Sequence, residues 1–196
     1  MTALADLLAE IDACRVCEGA LGFTPRPVVQ AGAGARVLIV GQAPGSKVHA
    51  SGTPWDDDSG DRLRDWLGLA RDVFYDPERI ALVPMGLCYP GKGNGGDLPP
   101  RRECAPLWHA PLLARMPNLK LTLLVGRYAQ AAYLPRAFAP SLTEAVRRHA
   151  DAPAGCFPLP HPAWRSRLWM AKHPWFEADV LPALRARIRD VLADPA

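Results

Sequence analysis

The sequence predicts an α/β protein, a three-layer α/β/α sandwich around a central four-stranded parallel sheet. Four short apolar segments can each form a strand, and segments with apolar residues at helical spacing separate them. The first of these segments, Val37–Val40, is continuously apolar and stops at Gly41, as strands buried on both faces do. Strands that alternate with helices build layered α/β domains with a parallel sheet.

The elements can be assigned in chain order from spacing, caps and breakers. We expect strands at 37–40, 80–83, 119–125 and 156–159. We expect helices at 3–13 with Thr2 as a cap, from Ser59 through Leu69, and at 101–115, 127–133, 141–149 and 175–192, the last with Pro182 as an irregularity. Ligands of such sheets bind beyond the carboxyl ends of the strands, which directs attention to the loops after Val40 and Leu159.

Length and composition are those of one globular domain. The 196 residues, 49% of them hydrophobic and 22% charged, can bury a real core, and we expect a single domain over 1–196 and a monomer. No run of 18 apolar residues occurs, and the first 14 residues are amphipathic and acidic, so we expect a cytoplasmic location and no membrane partner. A formal charge of +3 does not decide whether the protein binds nucleic acid.

Four of the five cysteines form a set by their spacing. Cys14 and Cys17 make a Cys-x2-Cys pair, and Cys88 and Cys104 are separated by fifteen residues. Two such pairs can complete a four-sulfur metal site, which by ligand type alone fits either zinc or an iron–sulfur cluster. Scattered reduced thiols are the alternative. Cys156, in a predicted strand, is expected to be a small core residue.

The loop after the first strand reads GQAPGSKVHASGTPWDDDSGDRLRDWL, residues 41–67. Its glycines allow close approach of the backbone to a ligand, and its amides can hold a carbonyl oxygen or an anion. The glycines at 31–35 precede the strand, so they are not a dinucleotide-binding motif, and GKGNGG at 91–96 does not have the order of a P-loop.

This loop resembles the first motif of the iron–sulfur uracil-DNA glycosylases, GEAPG followed by GxPFVGxxGxxL. The matching residues are Gly41, Gln42, Ala43, Pro44, Gly45, Gly52, Pro54, Trp55, Gly60 and Leu63. His161-Pro162-Ala163 is similar to the family's second motif, and the cysteine spacing agrees as well. The resemblance extends from about Cys14 to the last helix.

The resemblance implies a four-stranded parallel sheet flanked by helices, a cofactor, and a role for each matching residue. Cys14, Cys17, Cys88 and Cys104 would bind a 4Fe-4S cluster, with zinc as the less favoured metal. The base would be bound by Gly41, Gln42, Ala43, Pro44 and Gly45, and Trp55 would stack on it where the family has Phe. Stacking suits a base that has been turned out of the duplex. A core aromatic is the alternative for Trp55.

The second motif implies the electrostatic centre and the contact with DNA. His161 would stabilise the charge that develops as the glycosidic bond breaks, the alternative being a turn residue. The basic and aromatic loop that follows, with Trp164, Arg165 and Arg167, suits gripping phosphates and filling the gap left by a flipped base. A solvated surface pair is the alternative for the two arginines.

The sequence departs from the family at three positions that bear on mechanism. Gln42 stands where Glu is common, Ala43 where other uracil-DNA glycosylases carry Asp, and Pro84 where an Asn reads the uracil edge. The usual carboxylates for positioning water are therefore absent. Loss of a side-chain reader weakens discrimination between bases, so we expect a broader choice of base that includes deaminated purines.

Other residues nearby could replace the missing carboxylate. His49 aligns with an acidic position of the motif, and Asp56 and Asp57 follow Trp55. These are candidate catalytic residues, although an acidic run at this place can also cap the following helix, most naturally through Asp58 and Ser59.

The function expected from the sequence is DNA repair: hydrolysis of the bond between uracil, or another deaminated base, and deoxyribose. Two alternatives stay open: a protein of the same fold that binds damaged or abasic DNA without cutting it, and a zinc-stabilised hydrolase of free nucleosides.

Overall fold

The computed structural model describes residues 3–193. Its strands are β1 (Val37–Val40), β2 (Ile80–Leu82), β3 (Lys92–Gly93), β4 (Gly96–Asp97), β5 (Leu121–Val125) and β6 (Cys156–Leu159). Its α-helices are α1 (Leu4–Asp12), α2 (Glu18–Leu21), α3 (Ser46–Ser51), α4 (Asp58–Leu67), α5 (Arg71–Phe74), α6 (Cys104–Leu113), α7 (Arg127–Tyr133), α8 (Leu142–Arg147), α9 (Ser166–Lys172) and α10 (Leu181–Ala193).

The central sheet has four parallel strands in the order β2-β1-β5-β6. Val37 is opposite both Ile80 and Leu121, and Val125 is opposite Leu159. Residues of β1 and β2 are buried without alternation, as the apolar runs predicted. The predicted four-stranded parallel sheet is confirmed.

Each face of the sheet packs against its own apolar cluster. Ile39 and Leu123 contribute to a cluster with Trp66 of α4 and Leu184 and Ile188 of α10. The alternate residues contribute to the second cluster, which includes Leu38, Val40, Leu124, Leu7 and Ile11 of α1, and Leu112 of α6. Helices therefore cover both faces, and the predicted three-layer α/β/α arrangement is confirmed.

Several predicted boundaries shift for identifiable reasons. The cap of α4 is Asp57, whose Oδ1 accepts from the Gly60 amide at 2.8 Å, so the expectation of Ser59 as the cap is wrong. Thr2 lies outside the described residues. The helix expected at 175–192 is in two parts, a π-helical segment at Phe176–Val180 followed by α10.

Three elements near the strand ends were not predicted. Helix α3 contains one buried apolar residue, Val48, so it has no periodic stripe to detect. The hairpin β3–β4 is built from glycines and polar residues joined by Asn94 and Gly95. Helix α9 begins inside the segment expected to be a basic loop. Within residues 3–193 no helix has the length and apolar character needed to cross a bilayer.

Candidate active site

A cavity of about 750 Å³ opens at the carboxyl ends of the parallel strands. Its walls come from the segments after β1, β2, β5 and β6, together with the hairpin β3–β4. The residues that line it include Gly41, Gln42, Ala43, Pro44, Gly45, Trp55, Asp57, Pro84, Asp97, His161, Trp164 and Arg165. The structure thus brings the two motifs together at the edge of the sheet where ligands of such folds bind.

Trp55 is held in the cavity wall by its backbone and by two glycines. Its φ of 57° lies in the left-handed region, which is unusual for a bulky residue and costs free energy. A Cβ on Gly41 would lie 2.7 Å from the indole ring, and a Cβ on Gly60 would lie 1.7 Å from the Trp55 carbonyl oxygen. The buried Arg64 donates to that carbonyl at 3.3 Å. The motif glycines therefore make room for the tryptophan.

His161 lies across from Trp55, with 5.8 Å between the ring centroids and 33° between the ring planes. The Ser166 hydroxyl donates to the His161 carbonyl oxygen, and Arg62 donates to the Pro162 carbonyl oxygen at 2.7 Å. Burial lowers the pKa of His161, and the nearby Asp57 carboxylate partly opposes that shift. The imidazole is therefore neutral at pH 7 and can donate one hydrogen bond.

Pro84 presents no polar group to the cavity. Its carbonyl oxygen accepts from Nε2 of the buried His109 at 3.0 Å, and the Tyr133 hydroxyl lies 2.7 Å from His109 Nδ1. With the proton on Nε2, Nδ1 accepts from Tyr133. Burial lowers the pKa of His109 and raises that of Tyr133 to about 12. The backbone carbonyl, which is the one hydrogen-bonding group that a proline has, thus already accepts a hydrogen bond from His109.

The hairpin adds a carboxylate that the sequence analysis missed. Asp97 lies at the rim of the cavity, and its pKa is raised mainly by burial and further by Asp57, while a hydrogen bond from Tyr89 and the charge of Lys92 lower it. The glycine-rich segment 91–96 was considered only as a phosphate-binding loop. Asn94-Gly95 between short flanking segments is a hairpin signal that could have located it.

The family comparison agrees with this geometry. A model described as the uracil DNA glycosylase superfamily matches residues 29–185. The chain belongs to this superfamily. Membership indicates a DNA glycosylase, an enzyme that acts on DNA, and the cavity formed by the two motifs is its candidate active site. Cys14 and Cys17 precede the matched region.

Not every predicted site residue of this glycosylase reaches the cavity. Asp56 does not line it and pairs with Arg71 at 2.9 Å. His49 packs among aromatic rings instead, 5.5 Å from Phe23 and 5.8 Å from Tyr89 between centroids. Its buried Nδ1 has no hydrogen-bond partner among the residues that the structure describes. The structure therefore offers no contact between either residue and a base in the cavity.

The predicted DNA-contacting residues lie at the cavity mouth with one exception. Trp164 is 67% exposed, and the Arg165 guanidinium lies 5.4 Å from its ring centroid. Arg165 also donates to the Gly95 carbonyl oxygen at 3.3 Å, which joins this loop to the hairpin. Arg167 is exposed on α9 and does not line the cavity.

The four predicted metal ligands line a second, smaller cavity. Cys14, Cys17, Cys88 and Cys104 surround it together with Trp108 and two prolines. The Leu87 amide donates to Cys104 Sγ at 3.2 Å. Burial is the main cause that raises the pKa of Cys88 to about 12 and that of Cys104 to about 11. Among the described residues no His, Cys, Asp or Glu cluster is arranged to hold a single metal ion.

Cys156 lies apart from that cavity. It is half-buried on β6 and packs against the cluster that contains Leu38 and Leu124. This placement agrees with the expectation of a small core residue rather than a ligand.

Proposed function

We propose that this protein hydrolyses the N-glycosidic bond of uracil in DNA and leaves an abasic site. The observation that carries the proposal is the pairing of Trp55 and His161 across one cavity, 5.8 Å apart between ring centroids. One residue can cover a flat base and the other can stabilise charge on it. Base excision needs both a ring that stacks on the base and a separate group that donates a hydrogen bond to it.

The cavity suits a base turned out of the duplex. Unstacking costs a few kcal/mol, and a protein ring that covers the exposed base offsets part of that cost. The indole of Trp55 packs closely against Gly41, and the Trp55 backbone against Gly60, before any ligand binds, so little side-chain entropy is lost on stacking. Backbone groups around Gln42 and Ala43 line the same cavity and can contact the base.

His161 would act on the leaving base. As the bond from C1′ to the base nitrogen breaks, the electron pair leaves with the base, and negative charge develops on the base oxygen. A neutral imidazole that donates to this oxygen stabilises the charge without a competing proton transfer. Its lowered pKa keeps it in that form.

Trp164 and Arg165 would contact the DNA. Trp164 is an exposed aromatic residue beside the cavity mouth, a place from which it can fill the gap left by the flipped base. Arg165 lies against it and can pair with a phosphate. Arg167 would contribute only from the outer face of α9.

Base choice would be broader than uracil alone. Pro84 provides no side-chain amide, and its carbonyl is engaged by His109, so the cavity lacks the reading group expected there. Hypoxanthine and xanthine are therefore proposed as further substrates, because fewer polar groups would be left unpaired by a wrong base.

The four cysteines would hold a 4Fe-4S cluster, which would place the protein in the iron–sulfur branch of the superfamily. Four thiols around one cavity and an amide donor to Cys104 Sγ support this. The cluster would supply structural rigidity. It would join the segment after α1 to the segment between Cys88 and Cys104.

The test is cleavage of end-labelled oligonucleotides that contain uracil, hypoxanthine or xanthine, followed by alkali. The wild type is expected to cleave uracil substrates, and His161→Ala is expected to be about 100- to 1,000-fold slower. His149→Ala, outside the cavity, serves as the matched control. Binding to abasic DNA without cleavage of any substrate, or activity on free nucleosides alone, would overturn the proposal.

A further inference from the structure

Two carboxylates line the cavity within residues 3–193, Asp57 and Asp97. Both side chains approach Gly45: the point where a Cβ on Gly45 would lie is 3.8 Å from Asp57 Oδ2 and 3.6 Å from Asp97 Oδ2. Gly45 closes the motif in which Gln42 and Ala43 lack a carboxylate. The hairpin therefore brings a carboxylate beside the last residue of a motif that has none of its own.

The two carboxylates differ in whether they already have a structural role. Asp57 Oδ1 accepts a hydrogen bond from the Gly60 amide and caps α4, so the helix cap fixes the orientation of this carboxylate. Asp97 has no such role at a helix end. It lies at the exposed rim, where water can reach it.

Tyr89 lies beside the Asp97 carboxylate, and its hydrogen bond is one of the causes that lower the pKa of Asp97. The tyrosine ring is itself fixed, because it stacks on Phe23 with 6.0 Å between centroids and packs against His49.

The hairpin that carries Asp97 is attached at both of its sides to the cavity wall. The Gln42 side-chain amide lies 3.5 Å from the Leu98 carbonyl oxygen, and Arg165 donates to the Gly95 carbonyl oxygen. The Leu98 amide donates to the Gly91 carbonyl oxygen at 2.9 Å and closes the base of the hairpin. Asp97 is therefore held over the motif that carries Gln42.

We propose that Asp97 is the residue that binds and deprotonates the attacking water. This inference rests on the proposed glycosylase function. The water oxygen forms a bond to C1′, and the C1′–N bond breaks with its electron pair leaving on the base. The water proton passes to the Asp97 carboxylate, which afterwards releases it to solvent, and the base anion, stabilised by His161, takes up a proton from solvent. The products are the free base and the abasic deoxyribose.

The test is single-turnover cleavage of a uracil oligonucleotide by Asp97→Asn and Asp97→Ala, with and without added formate. Asp72→Asn is the matched control, since Asp72 is exposed on α5 and outside the cavity. Removing a general base typically costs 100- to 10,000-fold, so we expect a loss of about that size in both variants. Formate is expected to restore activity to Asp97→Ala in a concentration-dependent manner, and not to Asp72→Asn.

Affinity for an oligonucleotide with an uncleavable 2′-fluorinated uridine separates chemistry from folding and binding. Wild-type affinity in Asp97→Asn, together with slow cleavage, supports the inference. Wild-type cleavage rates in Asp97→Asn, or a slow Asp97→Ala that formate does not rescue, overturn it while the glycosylase assignment stands. A wild-type protein that cleaves no substrate overturns the proposed function, and this inference falls with it.

Discussion

A Cβ on Gly60 would lie 1.7 Å from the carbonyl oxygen of Trp55. No side chain can occupy position 60 while Trp55 keeps its left-handed backbone conformation. The contact joins the first turn of α4 to the wall of the active-site cavity, so the helix and the stacking residue take their positions together.

Gly60→Ala is expected to destabilise the protein by more than about 3 kcal/mol, because the clash is with backbone that cannot move alone. In an ordinary helix interior the same change stabilises by about 1 kcal/mol, so the sign is diagnostic. Urea denaturation measures it. Gly19→Ala is the control, because within residues 3–193 no atom outside its own helix backbone and chain neighbours lies within 4 Å of an added Cβ. Equal effects of the two changes would contradict the steric account.

Trp55→Ala is expected to weaken binding of an uncleavable uracil oligonucleotide by about 1–3 kcal/mol, the usual contribution of one stacked base. Trp55→Phe should retain most of the affinity. Fluorescence anisotropy with labelled DNA provides the measurement.

Trp55→Gly separates stacking from backbone strain. Glycine adopts a φ of 57° without the cost that an L-residue incurs there, about 1 kcal/mol. We expect Trp55→Gly to be more stable than Trp55→Ala by that amount and equally weak in DNA binding. Equal stabilities would show that the backbone relaxes when the indole is removed.

Cys17→Ser is expected to lose bound iron and sulfide and the brown colour of the purified protein, since one of four thiolates around the smaller cavity is removed. Cys156→Ser, on β6 and away from that cavity, is the matched control and should keep wild-type iron. Iron and sulfide analysis of proteins purified without oxygen decides the question. A colourless wild type containing zinc would reject the cluster.

Stability is expected to fall as the pH drops from 7.5 to 5.5. Burial lowers the pKa of both His109 and His161, whereas in the unfolded chain each returns to about 6.5. Below that value the unfolded chain binds more protons than the folded one, so the free energy of unfolding decreases by at most about 1.4 kcal/mol per pH unit for each histidine.

His109→Gln tests this origin. The glutamine amide can still donate toward the Pro84 carbonyl but does not titrate, so the variant should show a shallower decline of urea midpoints over the same pH range. Parallel declines in variant and wild type would assign the pH dependence to other groups.

The sequence was sufficient for the central sheet because its strands are short, mostly apolar runs, such as Val37–Val40, that alternate with segments of helical spacing. It also directed attention to the loops that carry Trp55 and His161, which line the same cavity, because both follow strand ends that meet at one edge of a parallel sheet. These features depend on local pattern and on a general rule of topology.

The sequence could not indicate what tertiary contacts decide. Asp57, rather than Ser59, caps α4. Asp56 forms an ion pair with Arg71, and the Pro84 carbonyl accepts a hydrogen bond from His109. Asp97 was missed because its approach to Gly45 joins segments that are about fifty residues apart. Short polar hairpins carry no apolar period from which such an approach can be inferred.

The hairpin and the cysteines also share one stretch of chain. Cys88 and Cys104 lie at the same small cavity, so residues 89–103 form a loop whose two ends are close together. Because the two ends of this loop are held together, its length and side chains can change while the four strands of the central sheet keep their register. The carboxylate that we propose to activate water is therefore carried by a part of the chain that is separable from the scaffold that presents Trp55 and His161, and its position can change by remodelling fifteen residues without repacking the core.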